Sequence, residues 1–325
     1  MKICYCRTKE NSECFSQILY KKLNMFKIIL NLKKYYPFYL MLILPSLYYI
    51  IFKYLPIFGN IIAFRRYKIG GSLFGEEWVG LRYFSLFVND PYFWQVFKNT
   101  FILGVCTMFF NFPMPIVLAL SLNEVKNAVF KRFVQTASYL PHFFTVVVVT
   151  GIIKELLSPS MGMVNELIKL MNHEPIHFLQ KPEWFRPIYV ISEVWQTTGW
   201  GAIIYMAAIS NISPELYQSA EIDGANRWQQ ALNITLPSLA PTAIILFILN
   251  SGKLIDVSMQ KILLLYNPMT YSTADTIETY IYRVGMEMQN YSYSTAVGIF
   301  NSFLGILLVS VSNYIAGRVS ETTLW

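Results

Sequence analysis

The sequence is poor in charge, cysteine and histidine. Only 14% of its 325 residues are charged and 54% are hydrophobic, whereas a soluble domain carries about 25% charged residues. A soluble core does not use so much apolar surface, so an ordinary soluble protein is excluded. Cys4, Cys6 and Cys14 lie in a basic leader and Cys106 lies in an apolar run, so the cysteines predict neither a disulfide framework nor a complete zinc site.

Sequence motifs for ATP hydrolysis and peptide cleavage are missing or broken. The sequence has no GxxxxGK[ST] phosphate-binding loop, because Gly252-Lys253 lacks the rest of the motif. His173 to His177 fit the zinc-protease pattern HExxH, but Pro175 opposes the continuous helix that such a site needs. With three histidines and no paired-carboxylate motif, we expect no enzyme activity, no metal and no bound cofactor. A membrane-embedded enzyme is the main alternative from another class.

Long apolar runs predict a membrane protein. Residues 100–123 and 296–316 contain no charged residue, and each run is long enough for a helix of about 20 residues that crosses a bilayer. The runs predict an all-α integral membrane fold with about six transmembrane helices, at residues 37–58, 100–123, 134–154, 188–210, 236–256 and 294–317. The segments 59–99, 155–187 and 257–293 are then expected on the outer side.

The distribution of basic residues predicts the orientation. The net charge is +7, and eight of the 26 basic residues precede the first span. This is the positive-inside pattern rather than a nucleic-acid surface. Six spans place both termini in the cytoplasm, together with residues 124–133 and 211–237. Residues 16–34 fit either a helix on the inner membrane surface or a basic tail, and Met25 is an alternative start.

These features divide the chain into four parts. A basic cytoplasmic segment is expected at residues 1–35, and the first transmembrane helix with an outer segment at 36–95. The main transmembrane domain is expected at 96–317, followed by a cytoplasmic tail at 318–325. The first apolar run, at about residues 36–55, is too long for a signal peptide and lacks a clear cleavage site, so it is interpreted as an uncleaved span.

The segment 211–237 predicts a helix–turn–helix. Ser213 is a suitable N-cap and Pro214 suits the first helical position. The first helix is expected to end near Gly224. Asn226 followed by Gln229 resembles a capping box for a second helix, which Pro237 is expected to bound. From these residues alone, a docking role and an ordinary loop are equally compatible.

The same segment resembles the EAA loop of permeases of the ABC importer superfamily. That pattern is Glu-Ala-Ala, three residues, Gly, nine residues and Ile-x-Leu-Pro. Here the triplet is Gln218, Ser219 and Ala220, with Gln in place of Glu and Ser in place of Ala. Because glutamine is uncharged, Gln218 cannot make a salt bridge that the glutamate of the pattern would make at this position. Gly224, Ile234, Leu236 and Pro237 match the pattern at the right spacing, and Asp223 and Ala225 flank the glycine in the core sequence IDGA.

The likeness extends over most of the chain from about residue 37. It includes the stretches NDPYFWQVFKNT, FKRFVQTASYLPHF and LLLYNPMTY, which resemble the carbohydrate permeases of the maltose type, in the subgroup named for a lipoprotein-associated component. The resemblance implies a type I importer fold in a bacterial cell membrane and a sugar or oligosaccharide as cargo. It also implies a second permease in a heterodimer, two cytoplasmic ATPases that use the ATP, and a solute-binding protein. A permease for a non-sugar solute and a secondary transporter are two competing hypotheses.

Polar residues within spans are costly unless they face protein or water, so they are candidates for the transport pathway. Aromatic rings near them provide flat faces for a sugar. For each residue, helix packing or an interfacial position is the alternative explanation. The candidates are Asn111, Glu193, Trp195, Gln196, Trp200, Asn250, Asp256 and Tyr266.

Overall fold

The computed structural model describes residues 34–72 and 74–319, and their fold is mainly helical. The predictions for the basic leader and for the tail beyond residue 319 lie outside the described residues. A long first helix is followed by a short β-hairpin and fourteen further helices. The elements are α1 (Lys34–Phe64), β1 (Arg65–Arg66), β2 (Glu77–Trp78), α2 (Arg82–Val88), α3 (Pro91–Asn111), α4 (Pro113–Glu124), α5 (Ala128–Tyr139), α6 (Val146–Leu156), α7 (Met163–Leu170), α8 (Pro182–Ser210), α9 (Pro214–Ile222), α10 (Arg227–Gln230), α11 (Leu236–Ser251), α12 (Met259–Leu265), α13 (Tyr271–Ala274), α14 (Ile277–Tyr282) and α15 (Tyr291–Val319).

Within the described residues, four helical stretches are long and apolar enough to cross a membrane. They are Lys34–Phe64, Pro91–Glu124, Arg227–Ser251 and Tyr291–Arg318. The prediction of an all-α membrane protein is confirmed. The predicted span 188–210 lies within α8, which has 29 residues but is less apolar because polar residues such as Glu193 and Gln196 occupy its middle.

The predicted span 134–154 corresponds to a pair of helices that are together apolar enough to cross a membrane but are separated by a bend. Residues Ala128–Phe143 and Val146–Leu156 meet at an angle of 104°. Phe144 has an extended backbone, and the side chain of Thr145 caps the new helix by accepting from the Val148 N–H at 3.4 Å. A capping residue after an apolar run thus starts a helix in a new direction.

Pro237 does not bound the second helix of the segment 211–237, so that expectation is wrong. Residues Arg227–Ser251 form one helix. A π-helical turn at Ala231–Thr235 precedes the proline, and the Ser238 hydroxyl donates to the Ile234 carbonyl at 2.7 Å. A local π-helical adjustment of this kind lets a membrane helix continue through a proline.

The glycines of α8 do not interrupt it, although glycine has a low helix propensity. α8 is continuous from Pro182 to Ser210. A Cβ at Gly199 would collide with the backbone of Ser138, and one at Gly201 would lie 2.9 Å from Cγ of Pro115. These glycines therefore let α5 and α4 approach α8 closely.

The described residues fall into two compact units that divide between Ile61 and Ile62. In the first unit, the membrane-length helix carries no buried residue in its apolar window. The second unit contains the β-hairpin and all later helices. Its hairpin is joined to α15, because the Ser292 hydroxyl donates to the Arg65 carbonyl at 2.8 Å and accepts from the Tyr67 N–H at 3.0 Å.

In the second unit, the predicted outer segments meet at one end. Asn267 donates to the Leu179 carbonyl at 2.7 Å, and Asn99 donates to the Ser272 carbonyl at 3.0 Å. The predicted inner segments meet elsewhere, where Arg227 pairs with Glu124 at 3.6 Å. α8 is about 40 Å long and leads from the predicted outer segments to the predicted inner segments. The two sets of segments therefore lie at opposite ends of the second unit. Which end faces the cytoplasm stays a prediction.

Candidate functional site

The first candidate site is an exposed helical hairpin formed by α9, a short turn and α10, here called the α9–α10 hairpin. Ser213 caps α9 by accepting from the Glu215 N–H at 3.3 Å, and Pro214 is its first residue. Asn226 and Gln229 form the capping box of α10, with hydrogen bonds of 2.9 and 2.8 Å. The predicted helix–turn–helix is confirmed at each of these caps.

The turn of the hairpin depends on Gly224. The Ala225 N–H donates to the Ala220 carbonyl at 2.8 Å, and the Gly224 N–H donates to the Glu221 carbonyl at 3.1 Å. This pair of bonds is the Schellman arrangement, which needs a left-handed residue after the helix. Gly224 has a φ of +79°. A Cβ at this glycine would meet nothing within 4 Å, so the backbone conformation rather than crowding selects glycine.

The EAA-like residues lie along this hairpin and into the following helix. Gln218, Ser219 and Ala220 lie on α9, Asp223 and Ala225 flank Gly224, and Ile234, Leu236 and Pro237 lie on the helix that leads away from it. Large apolar side chains are also exposed: Ile222 by 87% and Trp228 by 72%. Exposed apolar side chains on a polar hairpin favour a protein contact. Sequence reasoning did not single out Trp228.

The hairpin is attached to the membrane-length helices by polar contacts. The Tyr217 hydroxyl and the Thr235 hydroxyl lie 2.8 Å apart, and Arg227 reaches the carboxylate and carbonyl of Glu124 at the end of α4. These contacts connect both helices of the hairpin to the rest of the second unit.

The second candidate site is a cavity of about 580 Å³ between α3, α4, α8 and the end of α11, here called the central cavity. Its volume is in the range of small-molecule sites, which is about 300–1,000 Å³. Five of the predicted pathway residues line it: Asn111, Glu193, Trp200, Asn250 and Asp256.

The lining of the central cavity contains both aromatic and polar side chains. His142 stacks on Trp200 with the ring centroids 4.7 Å apart and nearly parallel. The Thr197 hydroxyl donates to Asn111 Oδ1 at 2.7 Å. An aromatic plane beside hydroxyl and amide groups matches the needs of a polar ligand with apolar faces. His142 and Thr197 were not predicted, because only the tertiary fold brings them to the wall.

A buried ion pair supports the cavity wall. Lys261 of α12 is 1% exposed, and its ammonium lies 2.8 Å from Glu193 Oε1 and 3.0 Å from Gln196 Oε1. The amide of Gln196 in turn donates to the Phe144 carbonyl at 3.1 Å. Gln196 therefore connects Lys261 to the Phe144 carbonyl and does not itself line the cavity. Lys261 is a lone charge in MQKILLL, and that pattern is a usable signal in retrospect.

Two further predicted residues also lie away from the cavity lining. Trp195 is 44% exposed on α8. Tyr266 follows α12 and packs on Tyr271 with a centroid distance of 4.8 Å. Burial, followed by the influence of Tyr271, raises the pKa of the Tyr266 hydroxyl to about 12, so this phenol is neutral at physiological pH.

A second cavity of about 560 Å³ lies between the end of α11, α14 and α15, and Asp256 and Glu278 are among its lining residues. Asn301 donates to Glu278 at 3.0 Å. Burial, with the charge of Asp256 adding to it, raises the pKa of the Glu278 carboxyl, whereas the hydrogen bond from Asn301 lowers it. Glu278 and Asn301 were not predicted.

The HExxH letters do not form a zinc-protease helix. His173 to His177 lie in an irregular stretch between α7 and a 3₁₀ turn at Phe178–Gln180, which confirms that Pro175 opposes a helix. Among the described residues, no group of three His, Cys, Asp or Glu side chains is placed to hold a metal ion.

Comparison with known proteins supports a transport role. A family model described as binding-protein-dependent transport system inner membrane component matches residues 111–321. The polygalacturonan/rhamnogalacturonan transport system permease protein YteP of Bacillus subtilis (strain 168) is 39% identical over 304 residues, with 94% of this chain and 95% of YteP covered. Protein LplB of the same organism is 41% identical over 287 residues, with 88% and 90% covered.

Solved structures agree with these sequence comparisons. A chain of a bacterial ABC transporter involved in the import of the acidic polysaccharide alginate is 39% identical, with a TM-score of 0.83, and the match covers 90% of this chain and 99% of that chain. A second structure, of a bacterial alginate ABC transporter in complex with alginate pentasaccharide-bound periplasmic protein, gives the same TM-score and identity. The present chain belongs to the family of inner membrane components of binding-protein-dependent transport systems.

Proposed function

We propose that this chain is a non-enzymatic permease subunit of an ATP-driven importer for a sugar or oligosaccharide. It pairs with a second permease in a heterodimer, receives cargo from a solute-binding protein and is driven by two cytoplasmic ATPases, which use the ATP. The observation that carries the proposal is the central cavity, where polar side chains and Trp200 line one space between membrane-length helices.

The cavity wall suits a carbohydrate. A sugar has apolar ring faces and a rim of hydroxyls, and Trp200 offers an aromatic plane while Asn111 and Asn250 offer amides. Lys261 pairs with Glu193, so that part of the wall carries little net charge. The names of the relatives, which mention polygalacturonan, rhamnogalacturonan and alginate, support a saccharide as cargo.

The α9–α10 hairpin is proposed as the coupling element for the ATPases. Its EAA-like residues from Gln218 to Pro237 match the docking loop implied by the resemblance. The exposed side chains of Ile222 and Trp228 supply apolar contact area. We assign force transmission to the hairpin and cargo contact to the cavity, so changes at the two sites should have different effects.

The test is reconstitution of the complete transporter in liposomes. The chain, a second permease, the ATPases and the binding protein are assayed for ATP hydrolysis with a panel of neutral and uronate oligosaccharides. Stimulation by at least one saccharide class is expected. The proposal fails if none of the saccharides stimulates hydrolysis or uptake while another solute class does.

Two tryptophans of α8 test the assignment of the cavity. Trp200 lines the cavity and is 46% exposed, whereas Trp195 lies outside it and is 44% exposed. Trp200→Ala should lower uptake by about 2- to 10-fold, the value of one aromatic contact, and by more than Trp195→Ala. A loss confined to Trp195→Ala would place the cargo on the exposed face of α8 instead.

A further inference from the structure

Lys261 lies where three parts of the second unit meet. It belongs to α12, and its ammonium contacts Glu193 and Gln196 in the middle of α8. Gln196 continues the network to the Phe144 carbonyl, at the bend between Ala128–Phe143 and α6. One chain of polar contacts thus connects α12, α8 and the bent pair of helices.

The same junction contains a second link. The backbone N–H of Ser258, just before α12, donates to the Tyr189 hydroxyl at 2.9 Å, and the Tyr189 ring lies 5.8 Å from the Lys261 ammonium. Tyr189, Glu193 and Ser258 all line the central cavity. The contacts that fix α12 on α8 are therefore part of the cavity wall.

A static wall does not require a buried ion pair. Removing two charges from water is costly, and apolar residues of similar size in the same place are often equally stabilising. A hydrogen-bonded ion pair differs from apolar packing because its geometry is directional, and because a charged group that lines a water-accessible cavity, as Glu193 does, can be hydrated when the pair separates. These properties suit a contact that must form in one state of a transporter and break in another.

We propose that Lys261 is a positioning residue that holds α12 against α8 through Glu193 and Gln196, and that this latch is released when the central cavity opens toward the binding protein. The inference rests on the proposed importer function. The latch stabilises the state in which the cavity wall is closed, so losing it shifts the population toward the open state.

The experiment uses the reconstituted transporter with four forms of this chain: wild type, Lys261→Arg, Lys261→Met, and the double variant Lys261→Met with Glu193→Gln. ATP hydrolysis is measured with and without binding protein loaded with the saccharide that stimulates wild type. As a second readout, Met108→Cys on the cavity wall, in a background lacking the native cysteines, is labelled by an impermeant thiol reagent added from the binding-protein side.

We expect both neutral variants to raise hydrolysis in the absence of binding protein by at least about 5-fold, the lower end of ordinary coupling between sites, and to speed labelling of the cavity cysteine. Lys261→Arg keeps the cation and should remain close to wild type. The double variant is decisive because it leaves no buried charge unpaired. If the ion pair is purely structural, the double variant should return to wild-type hydrolysis and labelling. If the pair is a latch, the double variant should keep the raised hydrolysis without binding protein and the faster labelling.

The inference is overturned if the double variant assembles and matches wild type in both readouts. It is also overturned if neither neutral variant assembles, since the ion pair would then be needed for folding. A wild-type complex that no loaded binding protein stimulates would contradict the proposed function instead, so the two failures are distinguishable.

Discussion

Gly224→Val should uncouple the transporter without disturbing its membrane part. Gly224 adopts a φ of +79° in the Schellman turn of the α9–α10 hairpin. A left-handed conformation costs a non-glycine residue about 1–2 kcal/mol, and more for a β-branched one. Because a Cβ there would meet nothing within 4 Å, this backbone cost is the whole local effect.

The cost translates into a measurable loss of docking. If the ATPases bind only the left-handed turn, 1–2 kcal/mol lowers their affinity by about 5- to 30-fold. Uptake and cargo-stimulated hydrolysis should fall together, while insertion and pairing with the second permease remain. Gly224→Asn should be milder, because asparagine tolerates the left-handed region. The assays are pulldown of the ATPase by the permease pair and uptake in proteoliposomes.

A matched control is available in the β-hairpin. Gly70 has a φ of +84°, and a Cβ at this glycine would also meet nothing within 4 Å, but Gly70 lies between β1 and β2. Gly70→Val carries the same backbone strain and should leave ATPase docking unchanged. Equal docking by the Gly224→Val, Gly224→Asn and wild-type proteins would refute the assignment of this turn as the coupling element.

Three further predictions concern orientation, chemistry and stability. Single cysteines at Asn226 and Lys169, in a background lacking the native cysteines, should differ in labelling by an impermeant thiol reagent on intact cells; labelling of Asn226 from outside would reverse the orientation. The purified chain alone should neither hydrolyse ATP nor cleave peptides, and zinc-dependent proteolysis that disappears in His173→Ala would contradict this. Arg283→Met should destabilise the protein by about 3–5 kcal/mol, because it leaves the buried carboxylate of Asp275 without its cationic partner at 2.6 Å. Thermal unfolding in detergent should show a smaller loss for Arg283→Lys, and equal melting of Arg283→Met and wild type would show that the pair adds no stability.

The α9–α10 hairpin was predictable because its signals are local. Ser213, Gly224 and the pair Asn226 and Gln229 each act within a few residues of their own position, so their pattern survives in the sequence. The same local reasoning failed at Pro237. There, the π-helical turn at Ala231–Thr235 lets the helix continue through the proline.

The central cavity was predictable only in part because its residues come together through tertiary packing. Burial cost identified Asn111 and Glu193 as functional candidates in their spans. It could not show that Gln196 points to Phe144 and Lys261 instead of lining the cavity. Lys261 itself lies outside the predicted spans, so a search limited to polar residues within spans passed over this lone charge in MQKILLL.

The two candidate sites are connected by rigid elements of the second unit. α8 contributes Glu193 and Trp200 to the cavity and ends at Ser210, three residues before the N-cap of the hairpin. The helix Arg227–Ser251 starts within the hairpin and carries Asn250 to the cavity over about 35 Å. This helix continues through Pro237 instead of ending there. A displacement of the hairpin can therefore reach the cavity wall through two helices, α8 before the hairpin and Arg227–Ser251 after it. The π-helical turn at Ala231–Thr235, within the second of these helices, is a place where a helix can bend. Stiffening this turn should change how far a movement of the hairpin opens the cavity.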